Sequence, residues 1–265
     1  MLLPIYQLDA FADRLFKGNP AAVIPVEAFL PDCTLQAIAA ENNLSETAYL
    51  VKDGNEYQLR WFTPACEVPL CGHATLASAA VVLDRLEPGR KEVGFQTASG
   101  LLTVKRAGAG FMMDFPASLV ERVEVPAEMK DALGAQPLEV WRNDRFSLVL
   151  LAEAMQVRAL TPRMAAVVAL DPHGVIVTAA GDEGFDFVSR FFAPAMGVDE
   201  DPVTGSAHCV LAPYWAARLG KVAFRAHQAS RRGGDVTCRI NGDRVELEGQ
   251  CVFYMEGTVE VELRS

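Results

Sequence analysis

Short stretches in which apolar and polar residues alternate dominate the chain and predict more strands than helices. Residues 3–8, 57–62 and 185–192 alternate with the two-residue period of a half-buried strand. Residues 21–24 form an apolar run after a Gly-Asn-Pro turn, and residues 252–261 predict a last strand. The fold class we expect is α/β, of the mixed α+β kind.

Two segments, residues 74–83 and 207–216, are apolar on nearly every side. A helix of this composition has to be surrounded by the rest of the protein. Small residues crowd the first segment and let strands approach from several sides, so we expect a helix sheathed by a curled sheet. Pro213, inside the second segment, predicts either a kink or a late start of that helix.

The motif that precedes each apolar segment occurs twice. Residues 62–64 (Phe-Thr-Pro) and 71–75 (Cys-Gly-His-Ala-Thr) correspond to residues 192–194 (Phe-Ala-Pro) and 204–208 (Thr-Gly-Ser-Ala-His). The two glycines are separated by half the length of the chain. We therefore expect two copies of one domain that face each other across a pseudo-twofold cleft.

The expected domains are residues 1–118 and 119–265, with the last strand free to return to the first half. The connector before the second motif is longer than that before the first, and residues 198–203 (Val-Asp-Glu-Asp-Pro-Val) make it acidic. We expect this acidic turn to have no counterpart in the first half. Such an insertion beside one helix start would make a symmetric cleft directional.

Composition and charge narrow the possible functions. The chain has 265 residues, of which 51% are hydrophobic, and a formal net charge of −10. Clustered cationic side chains are absent, so nucleic acid is not an expected partner. The sequence predicts no signal peptide and no membrane span, hence a cytoplasmic protein that does not bind membranes. Its six cysteines are too sparse for a disulfide scaffold and should be reduced.

The glycines of the repeated motif, Gly72 and Gly205, stand where the apolar helices are expected to begin. A helix start presents unpaired backbone N–H groups and a partial positive charge, which suit a carboxylate. Glycine lets a ligand oxygen approach the backbone closely. The sequence therefore predicts a small anionic carboxylate substrate, bound without lysine or arginine.

We expect three titratable residues within reach of these helix starts: His73 and Asp201, which are close to them in the sequence, and Glu46, which comes from an earlier segment. Histidine titrates near neutrality, and a shielded carboxylate titrates closer to neutrality than usual, so each is a candidate for moving a proton. Each also has a simple structural explanation, as a cap, a turn residue or a charge at a strand entry. A metal site formed by these residues with His208 lacks a short-range ligand pair, so we expect no metal.

Four motifs together resemble the PhzF family of phenazine-biosynthesis proteins. They are Gly-Asn-Pro at residues 18–20, Asn-Leu-Ser-Glu-Thr at 43–47, Cys-Gly-His-Ala-Thr at 71–75 and Glu-Asp-Pro-Val-Thr-Gly-Ser-Ala-His at 200–208. Their order and separation fit nearly the whole chain. The resemblance implies the diaminopimelate epimerase-like fold, which has two alike domains, each with a barrel-like sheet around a central helix, and an active site between them.

The resemblance also implies a mechanism without a cofactor and a homodimer. Glu46 would move a proton between carbons of a substrate of the trans-2,3-dihydro-3-hydroxyanthranilate type, first as base and then as acid. His73 and Asp201 would hold polar groups of the substrate. Its carboxylate would be bound by Gly72, Gly205 and Ser206, and Asn19 would line the same cleft.

Two other functions stay open at this point. Related epimerases use one cysteine at each helix start, whereas this chain has Cys71 at one and Thr204 at the other. A threonine hydroxyl is too weak an acid to exchange protons with a substrate carbon as a cysteine thiol does. An epimerase or racemase of an amino or hydroxy acid would therefore have to pair Cys71 with Asp201 or Glu46. The other alternative is a non-catalytic protein that binds small carboxylates.

Overall fold

The structure, a computed structural model, describes residues 1–262 of the chain. These residues form two compact units. The first unit contains residues 1–114 and the segment that returns from Glu248 onward, and the second contains residues 115–247. The division lies near the predicted boundary between residues 118 and 119.

The elements of the first part of the chain are β1 (Leu2–Ala10), β2 (Asn19–Val26), α1 (Asp32–Asn42), β3 (Glu46–Asp53), β4 (Glu56–Phe62), β5 (Glu67–Val68), α2 (Gly72–Val81), β6 (Glu92–Thr97), β7 (Gly100–Ala107) and β8 (Gly110–Pro116). They are followed by β9 (Glu121–Val123), α3 (Met129–Leu133), β10 (Glu139–Arg142), β11 (Ser147–Leu150), α4 (Ala154–Arg158), α5 (Met164–Leu170), β12 (Val175–Ala180) and β13 (Phe187–Ala193). The last elements are β14 (Val198–Asp201), α6 (Gly205–Leu219), β15 (Ala223–Gln228), β16 (Gly234–Asn241), β17 (Arg244–Gly249) and β18 (Cys251–Glu260).

The two units repeat one strand order. In the first unit, β1, β2, β3, β4, β6 and β7 are neighbours, and successive pairs are antiparallel, parallel, antiparallel, parallel and antiparallel. In the second unit, β10, β11, β12, β13, β15 and β16 pair with the same sequence of directions. This confirms the predicted fold class of two pseudo-symmetric α+β halves.

Helix α2 is the centre of the first unit. It lies against β1, β2, β3, β7 and β18, and every residue from His73 to Val81 is buried. Its two hydroxyl side chains are satisfied locally, because Thr75 Oγ1 donates to Cys71 O at 2.5 Å and Ser78 Oγ donates to Ala74 O at 2.7 Å. The predicted helix surrounded by strands is therefore present.

Helix α6 is the counterpart of α2 in the second unit. Trp215 stacks on Phe187 of β13 and donates to Thr178 of β12. The helix starts at Gly205, so the late start, one of the two alternatives that Pro213 predicted, is wrong. Pro213 has no N–H for the carbonyl of Cys209, and that carbonyl instead accepts from Ser118 N at 3.0 Å.

The segments before α2 and α6 correspond residue by residue. In the first unit β5 adds to β4, with Val68 opposite Trp61. In the second unit β14 adds to β13, with Asp201 opposite Phe191. Val68 and Asp201 each lie four residues before the glycine that begins the helix. Asp201 therefore places a carboxylate where the first unit has a valine.

An arginine ion pair is also repeated in these segments. Arg60 binds Glu67 with two hydrogen bonds of 2.7 Å, and Arg190 binds Glu200 with bonds of 2.6 and 2.9 Å. The expectation that the acidic turn has no counterpart is thus wrong for Glu200. The additional residues of the second connector precede Glu200, in the segment that begins with the 3₁₀ turn Pro194–Met196.

Candidate active site

Three of the predicted site residues come together in the first unit. Asn19 is the first residue of β2, Glu46 is the first residue of β3, and His73 is the second residue of α2. Strands β2 and β3 are parallel neighbours, so both begin at the same edge of the sheet. The start of α2 brings His73 to this edge.

A tight turn before β2 requires a glycine. Gly18 has φ +62°, and a Cβ atom at this position would lie 2.1 Å from the carbonyl oxygen of Ala10. No side chain fits at that distance, and positive φ is strained for residues with a Cβ. Gly18 therefore allows the chain to enter β2 with Asn19 fully buried.

The contact between Glu46 and His73 defines the site. Oε2 of Glu46 lies 3.0 Å from Nε2 of His73, and their side chains are 17% and 5% exposed. Both atoms are buried, and within residues 1–262 neither forms a well-aligned hydrogen bond. The pair is thus close enough to exchange or share a proton, while its hydrogen-bonding capacity is not used up.

The other ring nitrogen of His73 faces two polar groups. Nδ1 lies 3.1 Å from Asn19 Nδ2 and 3.5 Å from Cys71 Sγ. With the Asn19 amide in this orientation, Nδ1 accepts, and the proton of the neutral ring is on Nε2, where it faces Glu46. With the amide turned over, its oxygen accepts from the protonated ring. Asn19 can therefore support both protonation states of His73.

Burial and neighbouring charges compete at His73. Burial lowers its pKa, but Cys71 and Glu46 beside the ring outweigh this effect and raise the pKa well above the usual value. Burial also raises the pKa of Cys71 to about 11. Because the thiol is then neutral near pH 7, Cys71 acts on the ring as a hydrogen-bond partner, and the Glu46 side chain, 3.0 Å from Nε2, is the acidic group placed to stabilise a protonated His73.

Glu46, Cys71 and His73 also offer three metal-ligating atoms within 4.8 Å of one another. Glu46 lies against Nε2 of the ring, whereas Cys71 lies against Nδ1. A metal bound in the ring plane to one nitrogen would face away from the ligand beside the other nitrogen. Glu46 and Cys71 therefore approach different nitrogens of the ring, and the absence of a metal stays an expectation from sequence.

Of the remaining predicted residues, all except Gly72 belong to the second unit. Asp201 ends β14, Gly205 and Ser206 begin α6, and Gly72, their counterpart in the first unit, begins α2. Thr204 Oγ1 donates to Asp201 Oδ2 at 2.5 Å, so the threonine is a partner of this carboxylate. Gly205 is buried and Ser206 is partly exposed.

His208 has a structural role instead of a place in the site. It is fully buried, and its Nδ1 donates to the carbonyl of Thr204 at 2.8 Å. Burial lowers its pKa to about 4, so the ring is neutral at physiological pH. His208 therefore packs in the core.

Comparison with known proteins identifies the family. The model of the family described as phenazine biosynthesis-like protein, PhzC-PhzF, matches residues 8–257. The chain belongs to the PhzF family. It is 49% identical over 98% of its length, and over the whole of the relative, to a Pseudomonas aeruginosa protein described as an uncharacterized isomerase. A mouse relative, phenazine biosynthesis-like domain-containing protein 1, is 40% identical over 98% of this chain and 99% of its own.

Solved structures give the same result. The crystal structure of a PhzF family protein from Enterococcus faecalis superimposes with a TM-score of 0.95 at 44% identity, over 98% of this chain and 100% of that chain. A hydroxyproline epimerase from Agrobacterium vitis has the same fold, with a TM-score of 0.60 at 12% identity over 97% of this chain and 92% of that chain. The PhzF chain thus has the diaminopimelate epimerase-like fold predicted from the resemblance.

Among residues 1–262, every helix is too short or too polar to span a bilayer.

One polar residue next to the predicted site was missed by the sequence analysis. Gln228, the last residue of β15, is fully buried and forms hydrogen bonds with both Asp201 and Thr204. In the sequence it follows no motif and stands far from residues 200–208. The one sequence feature that could have indicated it is the repeat between the two halves, in which Gln-Ala-Ser at residues 228–230 corresponds to Thr-Ala-Ser at 97–99 after the equivalent strand.

Proposed function

We propose that this PhzF protein is a cofactor-independent isomerase that moves a proton between two carbons of a small carboxylate substrate. The observation that carries the proposal is the contact of Glu46 with the buried His73. The names of the relatives support an isomerase in general terms. The trans-2,3-dihydro-3-hydroxyanthranilate type of reaction comes from the resemblance to the family.

Glu46 is the proposed proton carrier because its side chain, unlike that of His73, is partly exposed. Its carboxylate takes a proton from a substrate carbon, and the electron pair of the broken C–H bond enters the adjacent π system. The resulting carboxylic acid then gives the proton to a second carbon. Atoms and electrons balance within the substrate, so the reaction needs no oxidant or reductant.

His73 is the proposed partner that holds Glu46 and a polar group of the substrate. The ring lies 3.0 Å from the carboxylate, within hydrogen-bond distance of it. Asn19, on the far side of the ring, keeps it oriented. We propose that the start of α6, at Gly205 and Ser206, binds the substrate carboxylate and that Asp201 binds a second polar group.

An epimerase or racemase that uses Cys71 is less well supported. Burial keeps this thiol neutral near pH 7, and a neutral thiol is a poor base. At the corresponding position of the second unit, the hydroxyl of Thr204 already donates to Asp201. The homodimer and the cytoplasmic location stay predictions.

Solvent deuterium tests the proposal. The wild type, Glu46→Gln and a control variant, Glu41→Gln, in which the substituted residue is exposed on α1, are incubated in D₂O with a panel of small carboxylates. The panel includes trans-2,3-dihydro-3-hydroxyanthranilate. We expect wild type and Glu41→Gln to shift a double bond and incorporate deuterium at carbon. Glu46→Gln should lose at least about 1,000-fold in kcat, with substrate affinity within about tenfold.

Each other outcome selects another function. Binding of a carboxylate with neither a double-bond shift nor deuterium incorporation by the wild type would support a binding protein. Deuterium at the α-carbon with inversion of chirality and no change of double bonds would support an epimerase. Full activity of Glu46→Gln would remove Glu46 from the mechanism.

A further inference from the structure

A serine latch holds the connector before each central helix. Ser99 Oγ donates to the carbonyl of Pro69 at 2.8 Å, and Ser230 Oγ donates to the carbonyl of Pro202 at the same distance. Each proline lies three residues before the glycine that begins the helix, and each serine follows the equivalent strand, β6 or β15. The latch is therefore a shared feature of the duplicated fold.

The residue two positions before each serine breaks this symmetry. In the first unit it is Thr97, whose Oγ1 donates to Gly100 O at 2.7 Å within its own hairpin. In the second unit it is Gln228, whose longer side chain is fully buried and reaches the connector. Only the second unit, which also carries Asp201, has this additional contact.

The Gln228 side-chain amide forms hydrogen bonds with two residues, Asp201 and Thr204, through both its NH₂ group and its oxygen. Its Oε1 accepts from Thr204 N at 2.9 Å, and its Nε2 donates to Asp201 O at 2.7 Å and to Thr204 Oγ1 at 3.2 Å. Thr204 Oγ1 in turn donates to Asp201 Oδ2 at 2.5 Å. A continuous path of hydrogen bonds thus joins the amide to the carboxylate.

We propose that Gln228 is a positioning residue that fixes the Asp201 carboxylate and the first turn of α6 for substrate binding. This inference rests on the proposed function, in which Asp201 and the start of α6 bind the substrate. A neutral amide with one acceptor and two donors can fix the backbone on both sides of the turn without adding charge beside Asp201. Small displacements of positioned groups reduce binding and catalysis strongly.

A purely structural role would have different consequences. If Gln228 served only to stabilise the second unit, its loss would lower the free energy of unfolding, but folded enzyme would keep its KM and its pH profile. If it positions Asp201, folded enzyme should have a raised KM. In the variant Gln228→Glu, the increase in KM should depend on whether the glutamate is protonated.

Two variants and a control separate these roles. Gln228→Met keeps the approximate shape and removes all three hydrogen bonds, and Gln228→Glu replaces the donor with a titrating group. The control is Gln250→Glu, because Gln250 is exposed. KM and kcat are measured between pH 5 and pH 8 in the deuterium assay, with trans-2,3-dihydro-3-hydroxyanthranilate or the carboxylate that the wild type turns over. Amide hydrogen exchange at Thr204 is measured without substrate.

We expect Gln228→Met to raise KM about tenfold or more at every pH, with a smaller change in kcat. In Gln228→Glu the rise in KM over wild type should be larger at pH 8, where the ionised carboxylate cannot donate, and should shrink toward pH 5 as the group gains a proton. Exchange at the Thr204 amide should be about tenfold faster in Gln228→Met. The Gln250→Glu control should match the wild type.

Unchanged KM in folded Gln228→Met, or equal KM defects of both variants across the pH range, would overturn the positioning role. If the wild type turns over no carboxylate, the proposed function fails. In that case amide exchange still tests whether Gln228 fixes the first turn of α6. Unchanged exchange at Thr204 in Gln228→Met would show that it does not.

Discussion

Nε2 of His73 lies 3.0 Å from Oε2 of Glu46, and the two residues belong to the starts of different elements, α2 and β3. The His73 side chain is enclosed, whereas the Glu46 side chain is partly exposed. Such a pair is close enough to exchange or share a proton.

The His73 pair should make stability depend on pH. The pKa of His73 is raised in the folded protein. Its contribution to the free energy of unfolding is therefore complete below the unfolded value of about 6.5 and is lost as pH rises through the folded value. Urea unfolding should show the largest difference between wild type and His73→Gln near pH 6 and a smaller one at pH 9. His173→Gln is the control, because that side chain is 62% exposed; a difference that grows with pH would contradict the raised pKa.

Cys71 should be dispensable for proton transfer. Its thiol is buried and its pKa is raised to about 11, so it supplies little thiolate near pH 7. Cys71→Ala should keep deuterium incorporation within about tenfold of wild type, as should Cys33→Ala at an exposed site. Iodoacetamide should label Cys33 and Cys66 much faster than Cys71. A loss of about 1,000-fold or more in Cys71→Ala alone would instead favour thiol chemistry.

Gly205→Val should weaken binding of the substrate carboxylate. Valine at the first position of α6 would put two methyl groups next to the backbone N–H groups of the helix start. We expect KM to rise about tenfold or more. Ala217→Val, at an exposed position of the same helix, should leave KM unchanged. Equal KM values for wild type and Gly205→Val would place the carboxylate elsewhere.

Ala77→Leu tests whether α2 is surrounded on all sides. Ala77 is fully buried in the middle of this helix, and additional methylene groups in a well-packed core have no space. The variant should lose about 2 kcal/mol in the free energy of unfolding, measured by urea denaturation. Ala40→Leu, at an exposed position of α1, should change stability by less than about 0.5 kcal/mol. A neutral effect of Ala77→Leu would mean that one side of α2 is open.

Much of the fold could be predicted from local sequence. Strand β4 and the helices α2 and α6 were recognised because their periodicity, apolar character and starting glycines lie within one short segment. The duplication was recognised because the same segments recur. The late start predicted for α6 was wrong because a contact from outside the helix, Ser118 N to the carbonyl of Cys209, compensates for Pro213.

The candidate site was only partly predictable for the same physical reason. The sequence alone determined which residues stand at the starts of β2, β3 and α2 and which chemistry each offers, since these depend on short motifs. Only the tertiary structure decided that Asn19, Cys71 and Glu46 surround one imidazole and that Gln228 holds Asp201. These contacts depend on strand pairing and on side-chain packing between segments far apart in the chain, and no local pattern records that arrangement.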